Sequence, residues 1–140
     1  MKVRQLMQKE LISILPSATI HDAAMKMKEN NIGSVLIVDD GGKLKGIVTD
    51  RDITLAVAAD SKDPGKTFAS DIMSGDPVSI PSDADVNYAL RIMSDSNVRR
   101  LPVCEHERVI GILSSADVAG EIKEEITQFL GLEQAFAKHH

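Results

Sequence analysis

The chain repeats itself. "GIVTDRD" runs from Gly46 to Asp52, and "GILSSAD" from Gly111 to Asp117. Each holds a glycine, two aliphatic residues, a hydroxyl residue, two variable positions and an aspartate, at a constant offset of 65 residues. Upstream the offset becomes 66, pairing Met7 with Met73 and Ile20 with Val86. "SILPS" (Ser13 to Ser17) faces "VSIPS" (Val78 to Ser82), and "IGSVLIV" (Ile32 to Val38) faces "VRRLPVC" (Val98 to Cys104). Coincidence would have to hold at several separated places, so two units of about 60 residues is the economical reading. A polar stretch with Pro and Gly, "ADSKDPGKT", lies between them as a linker.

Both halves predict the order β-α-β-β-α. A short amphipathic turn around Leu6 or Ile72 leads to a brief strand ending near Pro16 or Pro81. Ile20, Ala23, Ala24 and Met27 share one helical face, and Val86, Ala89, Leu90 and Met93 repeat the spacing. Thr19 and Asp85 sit at N-cap positions, while Asn30, Asn31 and Asn97 suit left-handed C-caps. Strands follow at Val35–Val38 and Leu101–Cys104. A turn at "DDGGK", with Gly41 and Gly42 supplying positive φ, leads to Leu44–Val48; its counterpart is Val109–Leu113. A last helix starts after Thr49 or Ser114.

Aromatic residues make up only 3% of the chain, so neither half could bury enough surface to be stable alone. The strands are apolar at nearly every position and ask for cover on both faces. The expectation is an α/β (α+β) fold, its two repeats packed sheet to sheet about a pseudo-twofold axis, with two equivalent clefts. The divisions are residues 1–60, a linker at 61–68, a second repeat at 69–122 and a helical extension at 123–140. In that extension Val118, Ile122, Ile126, Phe129 and Leu130 follow helical spacing, with Gly131 as a possible cap. The stripe either folds onto its own module or joins another chain.

The repeated motif has a structural reading. Thr49 with Asp52, and Ser114 with Asp117, fit the capping box, as does Thr19 with Asp22. The glycine can serve a close crossing of backbones. The functional reading rests on recurrence at both strand-to-helix junctions. A hydroxyl, a carboxylate and helix N–H groups then meet at a cleft edge. A carboxylate can accept both hydroxyls of a ribose diol, and N–H groups favour phosphate. Cations must help, and Arg51, Arg99 and Arg100 are at hand. Adjacent strand residues point to opposite faces, so only one of Arg99 and Arg100 faces a given cleft unless the strand start is irregular.

Here the sequence resembles a tandem pair of cystathionine-β-synthase (CBS) domains, the Bateman module, from about Val3 to Ile122. "GSVLIVDDGGKLKGIVTDRD" is particularly similar to the small stand-alone prokaryotic members. The resemblance implies a regulatory module that binds adenosine-containing ligands between repeats: AMP, ADP, ATP, S-adenosylmethionine or NAD-type compounds. It places Asp52 and Asp117 on the ribose, and Thr49 and Ser114 on ribose or phosphate. Arg99 and Arg100 meet phosphate, and the chain's own Arg51 joins them as a cation of the first motif. Adenine would lie against Ile14, Pro16, Ser17, Val78, Ile80 and Pro81. The first repeat departs from the pattern, with Gly33 and Ser34 in place of the arginine pair, so the clefts should differ in charge. Such pairs dimerise, which makes a homodimer the expected state, with a protein partner possible.

Composition narrows the alternatives. Net charge is −5, which argues against non-specific nucleic-acid binding. One cysteine, Cys104, can form no intramolecular disulfide, and soft ligands are too few for a structural metal site. No apolar run reaches membrane-spanning length, and a reducing cytoplasm fits. No enzyme signature stands out: there is no P-loop, and His21 and His106 fall at a helix start and a hairpin turn. No cofactor is required. The alternative is a ligand-free structural or interaction module that dimerises. His139 and His140 are given no function.

Overall fold

In a computed structural model, residues 1–139 are described, and His140 lies outside them. The order is α1 (Val3–Leu6), β1 (Ser13–Ile14), α2 (Ile20–Asn30), β2 (Ser34–Val38), β3 (Leu44–Thr49), α3 (Asp50–Thr54), β4 (Ser74–Gly75), α4 (Val86–Ser96), β5 (Arg100–Glu105), β6 (Arg108–Ser114) and α5 (Ser115–His139). A π-helical turn, Leu55–Ala59, extends α3, and a 3-10 turn spans Ala69–Asp71.

The helices α2 and α4 form where the apolar spacing placed them. Ile20, Ala23 and Met27 are buried on one, Val86, Ala89 and Met93 on the other. Thr19 and Asp85 cap their N-termini by accepting the Asp22 and Asn87 N–H groups. Asn31 (φ 52°) and Asn97 (φ 54°) end them in the left-handed region. In the first hairpin only Gly42 (φ 82°) takes positive φ, so Gly41 is not needed for that conformation.

One sheet has the order β1-β2-β3-β4. β1 runs parallel to β2, and β2–β3 and β3–β4 are antiparallel. The second sheet, β5–β6, is completed by single bridges: Ile80 parallel to Val103, and Gln8 antiparallel to Ile112. These bridges occupy the places of β1 and β4, so the halves share one plan.

The outer edge of each sheet comes from the other half's sequence. Ser74 pairs with Ile47 of the first repeat, and its counterpart Gln8 pairs with Ile112 of the second. The Val3 and Arg4 N–H groups donate to Ala84 and Ser82, and the Val86 N–H to Met1. The equivalent bonds run from Ala69 to Ala18, Ser70 to Pro16 and Ile20 to Thr67. Each repeat thus lends its opening turn to its partner. Val3, fully buried, packs with Ile80, Leu101, Val103 and Leu113. Ala69 packs with Ile14, Val35, Ile37 and Val48.

The pseudo-twofold axis passes between the hairpins. Lys43 bridges Arg108, its own equivalent. The Leu44 N–H donates to Glu107 and the Val109 N–H to Gly42.

The last helices differ. α3 is short and widens into its π turn, whereas α5 runs unbroken for 25 residues. Gly131 therefore lies within the helix and is no cap. α5 buries Val118, but Ile122, Ile126, Phe129 and Leu130 are exposed. The apolar stripe does not fold back onto its own module.

Candidate functional site

Both motifs lie where an inner strand turns into a helix. Antiparallel pairing sets Thr49 opposite Ser34 and Ser114 opposite Arg100. The Thr49 Oγ1 accepts the Asp52 N–H (3.1 Å), and the Asp52 Oδ2 accepts the Thr49 N–H (2.9 Å). The second motif repeats this at 3.1 and 3.4 Å. Thr19 and Asp22 form the same reciprocal cap. Its two backbone and side-chain bonds to Thr19, the backbone one first, hold the Asp22 carboxyl below its usual range.

What sets Asp52 and Asp117 apart is their surroundings. Each spends Oδ2 on the cap and is only half-buried. The Asp52 Oδ1 accepts no hydrogen bond from the described residues, whereas the Asp117 Oδ1 accepts one from Gln8 Nε2 at 3.0 Å. Cap and ligand roles therefore do not exclude each other: one oxygen serves each.

Two cavities adjoin these junctions. A cleft of about 240 Å³ brings Gln8, Leu11, Ile12 and Ile32 together with Arg100 and Ile112. A groove of about 560 Å³ straddles the pseudo-twofold axis, lined by the equivalent pairs Ser34 and Arg100, Leu36 and Pro102, and Ile47 and Ile112. Thr49, Asp50 and Arg99 stand at its edge. Both arginines reach this groove because β5 starts only at Arg100, leaving Arg99 in a bend. Both are exposed, and neither is salt-bridged to a carboxylate among the described residues. Facing them across the axis are Gly33 and Ser34, so the cationic charge is one-sided. Arg51 is exposed on α3, and neither it nor Asp52, Ser114 or Asp117 lines either cavity; of the motif residues only Thr49 does.

The stretch expected against a base is placed differently. Ile14 and Ile80 pair with the central strands and close the two cores. Ser17 joins Ile14 in a shallow depression beside α2, with Asp22. Pro16, Val78 and Pro81 line neither cavity. The aliphatic wall comes instead from Leu11 and Ile12, two or three residues earlier, because the chain turns inward at β1. Gln8, Leu11, Ile12 and Ile32 were not singled out by the sequence. Gln8 directly follows the "LM" signature, which was the available clue.

Among the described residues no cluster of His, Cys, Asp or Glu could hold a metal ion, and no helix is long and apolar enough to cross a membrane. Cys104 is partly buried, which raises its thiol pKa.

Two interlocked β-α-β-β-α repeats, each ending its inner hairpin on the G-h-h-[ST]-x-x-D junction, define a tandem pair. The chain belongs to the CBS domain family, whose model matches residues 3–59 and again 69–124. It is 35% identical over 117 residues to the CBS domain-containing protein YhcV of Bacillus subtilis, covering 84% of this chain and 82% of that one. Among solved structures it is similar to the CBS domain pair of protein MJ0100 in complex with 5'-methylthioadenosine and S-adenosyl-L-methionine. That match has a TM-score of 0.78 at 29% identity over 89% of this chain and 98% of the other. It is also similar to CBSX2 in complex with AMP, with a TM-score of 0.78 at 27% identity over 88% and 96% of the chains.

Proposed function

We propose that this chain is a non-enzymatic sensor of adenosine-containing ligands, binding them at the junctions that carry Asp52 and Asp117. The observation that carries the reading is the division of labour within each carboxylate. One oxygen closes the cap and the other is left over from it, while the strands that lead into the two motifs line a groove with aliphatic walls and a cationic rim. A ribose diol fits that second oxygen. Thr49 and Ser114 stand beside it for ribose or phosphate, and Arg100, between the two cavities, meets phosphate. Leu11, Ile12 and Ile32 offer the flat apolar surface a base needs. The ligands of MJ0100 and CBSX2 share an adenosine moiety, which supports this class without choosing among AMP, ADP, ATP, S-adenosylmethionine and NAD. A signal follows if the ligand binds two arrangements of the repeats with different affinity.

The test is a thermal-shift panel of those compounds with adenosine. A ligand at 100 times its dissociation constant adds about 2.7 kcal/mol, a rise of several degrees for a chain of this size. Arg100→Ala should weaken AMP about three- to tenfold and leave adenosine nearly unchanged. A panel in which no compound moves the transition would reject the reading.

The exposed stripe on α5 favours a second role, as an interaction module. In this reading the chain is a cytoplasmic homodimer that uses the stripe within the dimer or toward a protein partner. Light scattering at micromolar concentration should give the dimer mass; a monomer would remove this claim.

A further inference from the structure

The two motif junctions share a plan but differ at one side chain of the exchanged edge. Gln8 and Ser74 occupy equivalent places, each pairing with the strand that leads into the opposite repeat's motif. Gln8 is anchored by two backbone bonds to Ile112, of 2.8 and 2.9 Å. From there its amide donates to Asp117 Oδ1 at 3.0 Å. That is the oxygen the cap does not use. Ser74 is too short to reach Asp52 in the same way, and Asp52 Oδ1 accepts nothing from the described residues.

We infer that Gln8 is an internal competitor for the second cleft, so that the clefts fill in order, Asp52 first and Asp117 after displacement of the Gln8 amide. The inference rests on the function proposed above and names the residue that ranks its two sites. A ribose hydroxyl and the glutamine amide are both donors seeking the same acceptor. Oδ1 offers two lone-pair sites and the Gln8 amide holds one, so a ribose diol that takes both must break a charge-assisted bond at Asp117 that it need not break at Asp52. Because Gln8 is exposed, its amide re-solvates readily and the penalty is modest. Displacement also frees a side chain of the N-terminal segment that is clipped onto the second repeat. Occupancy of the second cleft is thereby coupled to that segment.

The experiment is calorimetry with AMP in single-cleft backgrounds. Asp52→Asn leaves the second cleft and Asp117→Asn leaves the first. Gln8→Ser installs the side chain that the first repeat already carries at this place, so the backbone pairing is retained. In the Asp52→Asn background, Gln8→Ser should tighten AMP about three- to tenfold. In the Asp117→Asn background it should change nothing. Unchanged, weaker or still undetectable binding with Gln8→Ser in the Asp52→Asn background would overturn the competitor role while wild-type binding leaves the sensor reading standing. Absence of AMP binding in the wild type and in Gln8→Ser alike would overturn the competitor role for AMP, and the sensor reading falls with it only if no other compound of the panel binds either.

Discussion

The Met73 sulfur lies so close to Gly46 that a Cβ built on the glycine would stand 2.7 Å from it, and 2.7 Å from the Ser74 carbonyl oxygen. Gly111 meets Met7 in the same way, its Cβ position 2.7 Å from sulfur and 3.0 Å from the Gln8 carbonyl. The motif glycine and the "LM" or "IM" start are therefore two halves of one contact. It locks each repeat's opening turn onto the other repeat. Gly46→Ala and Gly111→Ala should each cost about 1–3 kcal/mol through overpacking against backbone that cannot retreat. Gly120→Ala is the contrast: it lies within α5 with nothing within 4 Å of its Cβ position. It should gain about 0.5–1 kcal/mol. Chemical denaturation of the three variants checks the order.

The exchange of opening turns makes a second prediction. Val3 is fully buried among residues numbered 80 to 118. Val3→Ala should cost about 2 kcal/mol by leaving a cavity in the second core. Hydrogen exchange should report faster opening of β5 and β6 than of β2 and β3. Equal loss of protection in both sheets would contradict the clipped arrangement.

Acid stability follows from two carboxylates. The Thr19 backbone N–H, then its hydroxyl, lowers the Asp22 pKa, and the Lys43 backbone N–H lowers that of Asp39. Their folded pKa values lie below the unfolded ones, so each contribution is present above about pH 4 and lost as pH falls through the folded value. The double variant Asp22→Asn/Asp39→Asn should lose less stability than wild type between pH 5 and pH 2. A steeper acid loss in the variant would contradict the assignment.

The repeat made most of the fold legible. Helical faces, Asn caps and inner strands were set by local periodicity and recurred at fixed offsets, which fixed α2, α4 and both hairpins within a residue. Three things were not legible. The exchange of Val3 and Ala69 depends on contacts between segments some 80 or 50 residues apart, which no local pattern encodes. Ile14 and Ile80 look like cleft residues because an apolar run does not say which face it presents. The parallel pairing that buries them is a tertiary choice. Gly131 resembles a helix stop, yet glycine costs an exposed helix only about 1 kcal/mol and the helix continues through it. At the two junctions the reciprocal caps were legible because the motif recurs, and the Gln8 contact was not, because its counterpart is Ser74.

Calorimetry of AMP against wild type, Asp52→Asn, Asp117→Asn and the double variant tests the central claim most directly. Asn can keep the cap with its carbonyl oxygen, but then presents an amide donor where the second carboxylate oxygen stood. Loss of charge-assisted bonds of roughly 1.5–3 kcal/mol should weaken the affected cleft about tenfold or more. Asp22→Asn, which alters the same reciprocal cap at the start of α2 and away from both motifs, should bind as wild type does. The account predicts reduced affinity in at least one single variant and further loss in the double. Wild-type affinity in both single variants and the double, for AMP that the wild type demonstrably binds, would contradict it.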